Sequence, residues 1–212
     1  MILTGQLDSP FVRRVAIAMH HYGLLFEHHV ISAYDDFGEL LALNPLGRVP
    51  ALQLEDGTVL TDSTLILDYL DRLAEPDKVL LPEVAAVRAH LLRHLGIALG
   101  LAEKAVEFRT ETVRRAEEKI DAGRVARIRA QIAACLTWLE AHTPENGYLA
   151  GDRLTHGDIA SAVAMTFILA KNPQHLEAGD GGAEKVYPNL MDHRRRCETF
   201  LAFRSAPFPD DA

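Results

Sequence analysis

The feature that most constrains the fold is a change of hydrophobic rhythm about a third of the way along the chain. As far as residue 76, short apolar runs of strand character alternate with apolar residues at helical spacing. Beyond Glu75-Pro76-Asp77-Lys78 and Leu81-Pro82-Glu83 the strand signal all but vanishes, and only helical periodicity continues. One layered core cannot serve both patterns, so the sequence predicts two domains. These are a small α/β domain over 1–76 and an all-helical domain over 85–212, joined by a linker over 77–84.

Within the first domain Met1-Ile2-Leu3 reads as a strand. Phe11, Val15, Met19 and Tyr22 then recur on one helical face, with Arg13, Arg14, His20 and His21 on the others. Pro10 suits the first helical turn, where a missing N–H is harmless, and Gly23 suits the end. A second strand is predicted over 26–31 and a short helix over 35–43, stopped by Asn44-Pro45. The strands 51–54 and 59–61 flank Asp56-Gly57, a strong hairpin signal. Leu65, Ile66, Tyr69, Leu70 and Leu73 close the domain as an amphipathic helix. The order is βαβ–α–ββα, a mixed sheet of about four strands with helices packed on it. In the second domain helices are predicted over 85–108, 123–142, 155–170 and 190–201, with Gly179-Asp180-Gly181-Gly182 as a loop.

Composition narrows the function. The 212 residues carry 22 Lys and Arg against 30 Asp and Glu, a formal charge of −8. That balance disfavours nucleic-acid binding, which rests on cations neutralising phosphates, and anionic membrane surfaces equally. Two cysteines, Cys135 and Cys197, form no C-x-x-C pair, which excludes a cysteine-rich zinc site or a dithiol motif. With no disulfide framework, no secretory signal at the N-terminus and no stretch long enough to span a membrane, a cytoplasmic protein is expected. His90 and His94 have the spacing of two helical metal ligands but lack the intervening glutamate of a zincin, so no metal is expected. His20-His21, His28-His29 and Arg194-Arg195-Arg196 read as solvated faces, and the cysteines as core residues of the helical domain.

Three short runs in the first domain can carry chemistry. Ser9, just before the first helix, is most simply an N-cap, yet a hydroxyl there can also donate to an anion held at the helix N-terminus. Asn44-Pro45-Leu46-Gly47-Arg48-Val49-Pro50 leads into a strand. If the Val49–Pro50 bond is cis, the backbone groups of Val49 turn outward to pair with an extended peptide. Thr61-Asp62-Ser63-Thr64 opens the last helix, as a cap or as a carboxylate and hydroxyl able to hold the charged end of an amino-acid-like ligand.

In order and spacing these runs resemble the glutathione-binding half of the glutathione transferase family, a thioredoxin-like domain followed by a helical one. Ser9-Pro10-Phe11-Val12-Arg13-Arg14-Val15 looks most like the serine-type branch, typified by the plant tau class and related bacterial members. In the second domain Thr155 and Asp158 form a capping box with Leu154 and Ile159 as its hydrophobic staple. The family carries the same box, where it helps folding. The resemblance implies that Ser9 hydrogen-bonds the glutathione sulfur and that Val49, before a cis Pro50, pairs with the cysteinyl backbone. Asp62 and Ser63 would hold the γ-glutamyl end, and Arg48 the glycine carboxylate. Asp62 stands where the family commonly has the longer Glu or Gln.

The implied activity is conjugation of glutathione, as co-substrate, to a small hydrophobic electrophile, by a cytoplasmic homodimer concerned with detoxification. Position 9 is serine, so the cysteine needed for thiol transfer is missing, and the first tyrosine, Tyr22, lies at the far end of the helix. Alternatives are a glutathione-dependent isomerase or dehalogenase on the same scaffold, and a non-catalytic ligand-binding or protein-interaction module. The chain ends soon after the last helix, with nothing appended, which weakens the module reading. Residues 1–76 hold four arginines against eleven acids, a net of −7, so the predicted site for an anionic peptide lies on the acidic part of the chain.

Overall fold

In a computed structural model the chain is described over residues 1–176 and 182–209. The loop predicted at Gly179-Asp180-Gly181 lies outside the described residues, and Gly182 begins a short helix. By contacts the chain divides into two compact units, one of Met1–Leu80 with the segment from Thr199 on, the other of Leu81–Glu198.

The first unit is a four-stranded sheet with helices on it. The elements are β1 (Ile2–Thr4), α1 (Pro10–Tyr22), β2 (Glu27–His29), α2 (Phe37–Leu43), β3 (Ala51–Gln53), β4 (Val59–Thr61) and α3 (Ser63–Asp71). Strand order is β2-β1-β3-β4, with β1 parallel to β2 and antiparallel to β3, and β3 antiparallel to β4. The central register sets Leu3 beside Leu52 and Leu52 beside Leu60. Leu3, Leu52, Val15, Met19, Ile66 and Leu70 are fully buried and make the core. The predicted hairpin forms. Leu54 N–H donates to Thr58 O, and Asp56 accepts from the Thr58 amide, with Gly57 at φ 88°. Helix α1 starts on Pro10 and ends on Gly23 in the left-handed region, where the Leu24 amide reaches back to Met19 O. The second strand is shorter than predicted, three residues rather than the six of 26–31.

The packing of α1 reassigns the tail. Arg13 and Arg14, on the faces of α1 away from its apolar stripe, are both buried. Arg13 Nε donates to Ala206 O (2.9 Å), and its guanidinium lies 5.8 Å from the centre of the Phe203 ring. The segment from Thr199 on therefore belongs by contacts with the first unit, whereas the periodicity had assigned it to the helical domain. The helix predicted over 190–201 is correspondingly two, α8 (Pro188–Glu198) and α9 (Leu201–Arg204). They part where Phe200 adopts an extended backbone.

The second unit is built from α4 (Ala85–Val113), α5 (Ala122–His142), α6 (His156–Lys171), α7 (Gly182–Val186) and α8. Helix α6 packs on α4 and α8, and α5 on α4. Leu91, Leu95, Ala98, Leu101, Ala102, Ala105 and Phe108 form the buried stripe of α4. Helix α6 is buried from His156 to Ile168, and its sequence is predominantly apolar on every face, its buried polar groups including His156, Asp158, Ser161 and Thr166. The capping box at its start is complete. The Asp158 amide donates to Thr155 Oγ1 (3.3 Å) and the Thr155 amide to Asp158 Oδ2 (2.8 Å), while Leu154 and Ile159 are buried. Cys197 is buried, but Cys135 is only half-buried. No helix among the described residues is long and apolar enough to cross a membrane.

Candidate functional site at one end of the sheet

The sheet register gathers the predicted residues. Thr4 pairs with Ala51, and Ala51 pairs with Thr61, so these three lie in one row across β1, β3 and β4. The chain that leaves Thr4 leads to Ser9 and α1. The chain that enters Ala51 carries Arg48, Val49 and Pro50. The chain that leaves Thr61 carries Asp62, Ser63 and α3. All six residues therefore belong to segments at the same end of the sheet. Two strand spacings, about 10 Å, separate the first segment from the last, close to the length of an extended tripeptide.

Close packing joins two of these segments. Gly5 has φ 132°, and a Cβ built there would lie 2.5 Å from Val12 Cγ2 and 2.8 Å from Val49 Cβ. Only glycine lets the end of β1, the start of α1 and the loop before β3 approach this closely. Gly5 is pinned on its other side: its amide donates to His29 O, and its carbonyl lies 2.7 Å from His28 Nε2. His28 is thus part of the scaffold rather than simply solvated.

Ser9 caps α1. Its Oγ accepts from the Val12 amide at 3.4 Å, a long hydrogen bond, and no described residue accepts its hydroxyl proton. The Val49–Pro50 peptide is cis, and neither the amide nor the carbonyl of Val49 has a hydrogen-bond partner among the described residues. Asn44, buried and overlooked in the sequence, shapes this loop. Its Nδ2 donates to Arg48 O (2.7 Å), and its Oδ1 accepts from the Leu46 amide (3.0 Å). The Gly47 amide closes the Asn44–Gly47 turn on Asn44 O, with Pro45 at the second position, which favours such turns. Gly47 at φ 58° packs face to face with Phe37, whose ring would clash with any Cβ. Arg48 is exposed at the tip.

At α3, Asp62 has φ 67° and ψ 123°, a sparsely populated backbone for a non-glycine residue. Such strain persists where the surroundings fix it, and it is commonest at functional sites. Its Oδ1 accepts from the Thr64 amide (2.7 Å), so the carboxylate caps the helix while remaining exposed. Ser63 is buried, and its Oγ accepts from Arg14 Nη1 (3.1 Å). Arg14 also reaches Thr64 Oγ1 (3.3 Å). Burial lowers the Arg14 guanidinium to about 10 against the pull of the Asp62 carboxylate, so it stays charged at neutral pH. Nothing in the periodicity marked Arg14. Its one visible signal was a second arginine beside Arg13 on a helix whose other faces had to be covered.

Other candidates resolve into structure. The Tyr22 hydroxyl donates to Asp71, and burial, then Asp71, raises its phenol. His94 is buried with Nε2 2.9 Å from Ser161 Oγ, while His90 is exposed. Among the described residues no group of three or more His, Cys, Asp or Glu side chains could hold a metal. Arg195 is exposed and pairs with Glu184, but Arg194 and Arg196 are half-buried, donating to Thr166 Oγ1 and to the carbonyls of Pro144 and Glu145. That run is only partly a solvated face.

Comparison with known proteins agrees with this architecture. The family model described as the glutathione S-transferase N-terminal domain matches residues 8–73, and that of the C-terminal domain matches 122–196. An uncharacterized GST-like protein, YibF, of Escherichia coli is 28% identical over 79% of this chain and 82% of its own length. A glutathione S-transferase of Methylobacterium radiotolerans, solved with glutathione sulfonate, superposes with a TM-score of 0.88 at 28% identity, covering 99% of this chain and 95% of its own. A Pseudomonas fluorescens Pf-5 family member with bound glutathione gives 0.84 at 27% identity and 98% coverage of each chain. With a thioredoxin-like sheet unit and a helical unit both matched, this chain belongs to the glutathione S-transferase family.

Proposed function

We propose that the protein is a glutathione transferase that conjugates the glutathione thiolate to a small hydrophobic electrophile. The observation that carries this reading is the row of three segments at one sheet end, which offers donors and acceptors over the length of a tripeptide. Glutathione in one structural relative and glutathione sulfonate in another support the choice of peptide.

In this reading the backbone of Val49, before Pro50, pairs with the cysteinyl residue. Asp62 takes the γ-glutamyl ammonium, Ser63 takes the γ-glutamyl carboxylate, and Arg48 takes the glycine carboxylate. Ser9 donates its hydroxyl proton to the sulfur. A free thiol with pKa about 8.5 is only about 3% ionised at pH 7, and lowering it by about two units makes it about three-quarters thiolate. That shift requires about 2.7 kcal/mol of preferential stabilisation of the thiolate, within the range of one charge-assisted hydrogen bond and a helix N-terminus. Ser9 is therefore a donor, neither nucleophile nor base. The division at residues 76 and 85, the homodimer, the cytoplasmic setting and a role in detoxification belong to the same proposal.

Calorimetric titration with glutathione, followed in parallel by the ultraviolet absorbance of the bound thiolate, tests it. Binding with a thiolate band at pH 7 is the expected result. Absence of binding would remove every glutathione-dependent reading, and binding without thiolate would leave a ligand-holding protein.

A further inference from the structure

The proposed site leaves one group without a role. Arg14 is 1% exposed and carries five N–H donors in a planar fork. Nη1 reaches the Ser63 and Thr64 hydroxyl oxygens, while Nε and Nη2 meet no acceptor among the described residues. A buried cation this poorly satisfied is a liability for folding alone. Its position accounts for it. The two hydroxyls belong to the first turn of α3, whose Ser63 and Leu65 amides also lack partners among the described residues. Neither hydroxyl proton has an acceptor there.

We propose that Arg14 is a positioning residue for the carboxylate of the γ-glutamyl group. By donating to the oxygens of Ser63 and Thr64 from beneath, it leaves both hydroxyl protons directed to a carboxylate above the first turn of α3. This rests on the glutathione reading above. A hydroxyl oxygen that accepts from a cation is also the stronger donor, because the two hydrogen bonds polarise one another. Arg14 and Asp62 together make a charge pair complementary to the zwitterionic ligand end. The exposed carboxylate meets the ammonium, and the buried guanidinium offsets the ligand carboxylate without touching it. Thr64 joins Ser63 as a direct contact.

The test uses two unreactive ligands, S-methylglutathione and its analogue with 4-aminobutyrate replacing γ-glutamate, which keeps the ammonium and lacks the carboxylate. Calorimetry measures both against the intact protein and against Arg14→Met, Arg14→Lys and Thr64→Val. Arg14→Met is expected to weaken S-methylglutathione about 10- to 100-fold, the effect of one or two charge-assisted hydrogen bonds, and the analogue by less than about 3-fold. Arg14→Lys is expected to recover part of the loss, and Thr64→Val to show a smaller loss confined to the carboxylate-bearing ligand. Equal losses on both ligands, or none on either, would overturn the assignment. Should Arg14→Met fail to fold, Thr64→Val, exposed at the surface, decides by the same criterion. If the unmutated protein binds neither ligand, the glutathione reading itself has failed, and this inference with it. If it binds both equally, this inference fails together with the assignment of Ser63 to the carboxylate, while glutathione binding itself stands.

Discussion

Replacing Ser9 by alanine separates the two things that one hydroxyl does. As a cap it accepts from the Val12 amide at 3.4 Å, near the limit for such a bond, so its loss should destabilise the fold by only about 0.5 kcal/mol, the low end for N-caps. As a donor to a thiolate it should matter more, because a hydrogen bond to a charged acceptor contributes about 1.5–3 kcal/mol, or about one to two pKa units on the bound thiol. Take a bound thiol half-ionised at pH 6.5 and a shift of about 1.5 units. The thiolate at that pH then falls to about 3%, a rate loss of about 15-fold, while at pH 9 both forms are almost fully ionised and the gap closes. Conjugation of 1-chloro-2,4-dinitrobenzene from pH 6 to 9, with the thiolate absorbance titrated alongside, reads this directly. S-methylglutathione, which has no proton to lose, should bind the variant nearly as well. A rate loss that is the same at every pH, or no loss at pH 6.5, would refute the argument.

Arg48→Ala should weaken glutathione binding several-fold by calorimetry with little change in turnover at saturation, since the exposed guanidinium is assigned to the glycine end, away from the sulfur. Because residues 1–76 carry a net −7, raising sodium chloride from about 10 to 300 mM should leave glutathione affinity level or raise it; a steep fall would mean long-range attraction rather than local donors. Asp158→Ala strips the acceptor from the half-buried amide of Leu149 and the buried amide of Thr155 and should lower stability by about 2–4 kcal/mol in urea unfolding, an unchanged midpoint being the contrary result. Stability should fall between pH 6.5 and 4. Burial lowers His94 and His193 to about 4 and lowers His20 and His175 as well, so over this window the unfolded chain binds protons that the folded chain does not. Burial raises the Asp158 carboxyl to about 6 despite its donors, which opposes them by one proton. The lowered histidines outnumber the one raised carboxyl, so the net effect is a loss of stability on acidification, and urea midpoints that stay flat over this range would contradict it.

Much of this was legible in the sequence because local rules carried it. Pro10 and Gly23 bracket α1, Asp56-Gly57 sets the hairpin, and Thr155 with Asp158 caps α6; in each case the residue acts on its own backbone within a few positions. What was missed acts at a distance. Arg13 is buried because a carbonyl 193 positions later accepts from it, and Arg14 because α3 lies alongside α1. Asn44 reads as a helix stop and as the start of the run into β3, with no sign in the sequence that its side chain holds the turn presenting Arg48 and Val49. Periodicity assigns such polar residues to solvent, since it records what a helix face contains and not what later packs upon it. The convergence of the site was likewise invisible until the register set Thr4, Ala51 and Thr61 in one row.

The candidate site is built largely from helix starts, and this explains how an acidic domain would hold the anionic peptide proposed for it. At α1 and at α3 a hydroxyl oxygen accepts from inside the fold, from the Val12 amide or from Arg14, and its proton is left over. At α1 the capping hydroxyl itself supplies a donor beside the positive end of the helix dipole, and at α3, which Asp62 caps, the hydroxyls of the first turn supply it. These donors act over hydrogen-bond distances, whereas surface acids act through water and salt with a screening length of about 8 Å. The surface can be negative for solubility while the site is positive within a few ångströms. The one full positive charge placed behind the site, Arg14, is the one that water screens least, because it is buried. The arrangement also accounts for the strained backbone at Asp62. At that corner the chain must turn from β4 into α3 while keeping a carboxylate exposed and the next two hydroxyls within reach of Arg14. A glycine would relax the corner but remove the carboxylate.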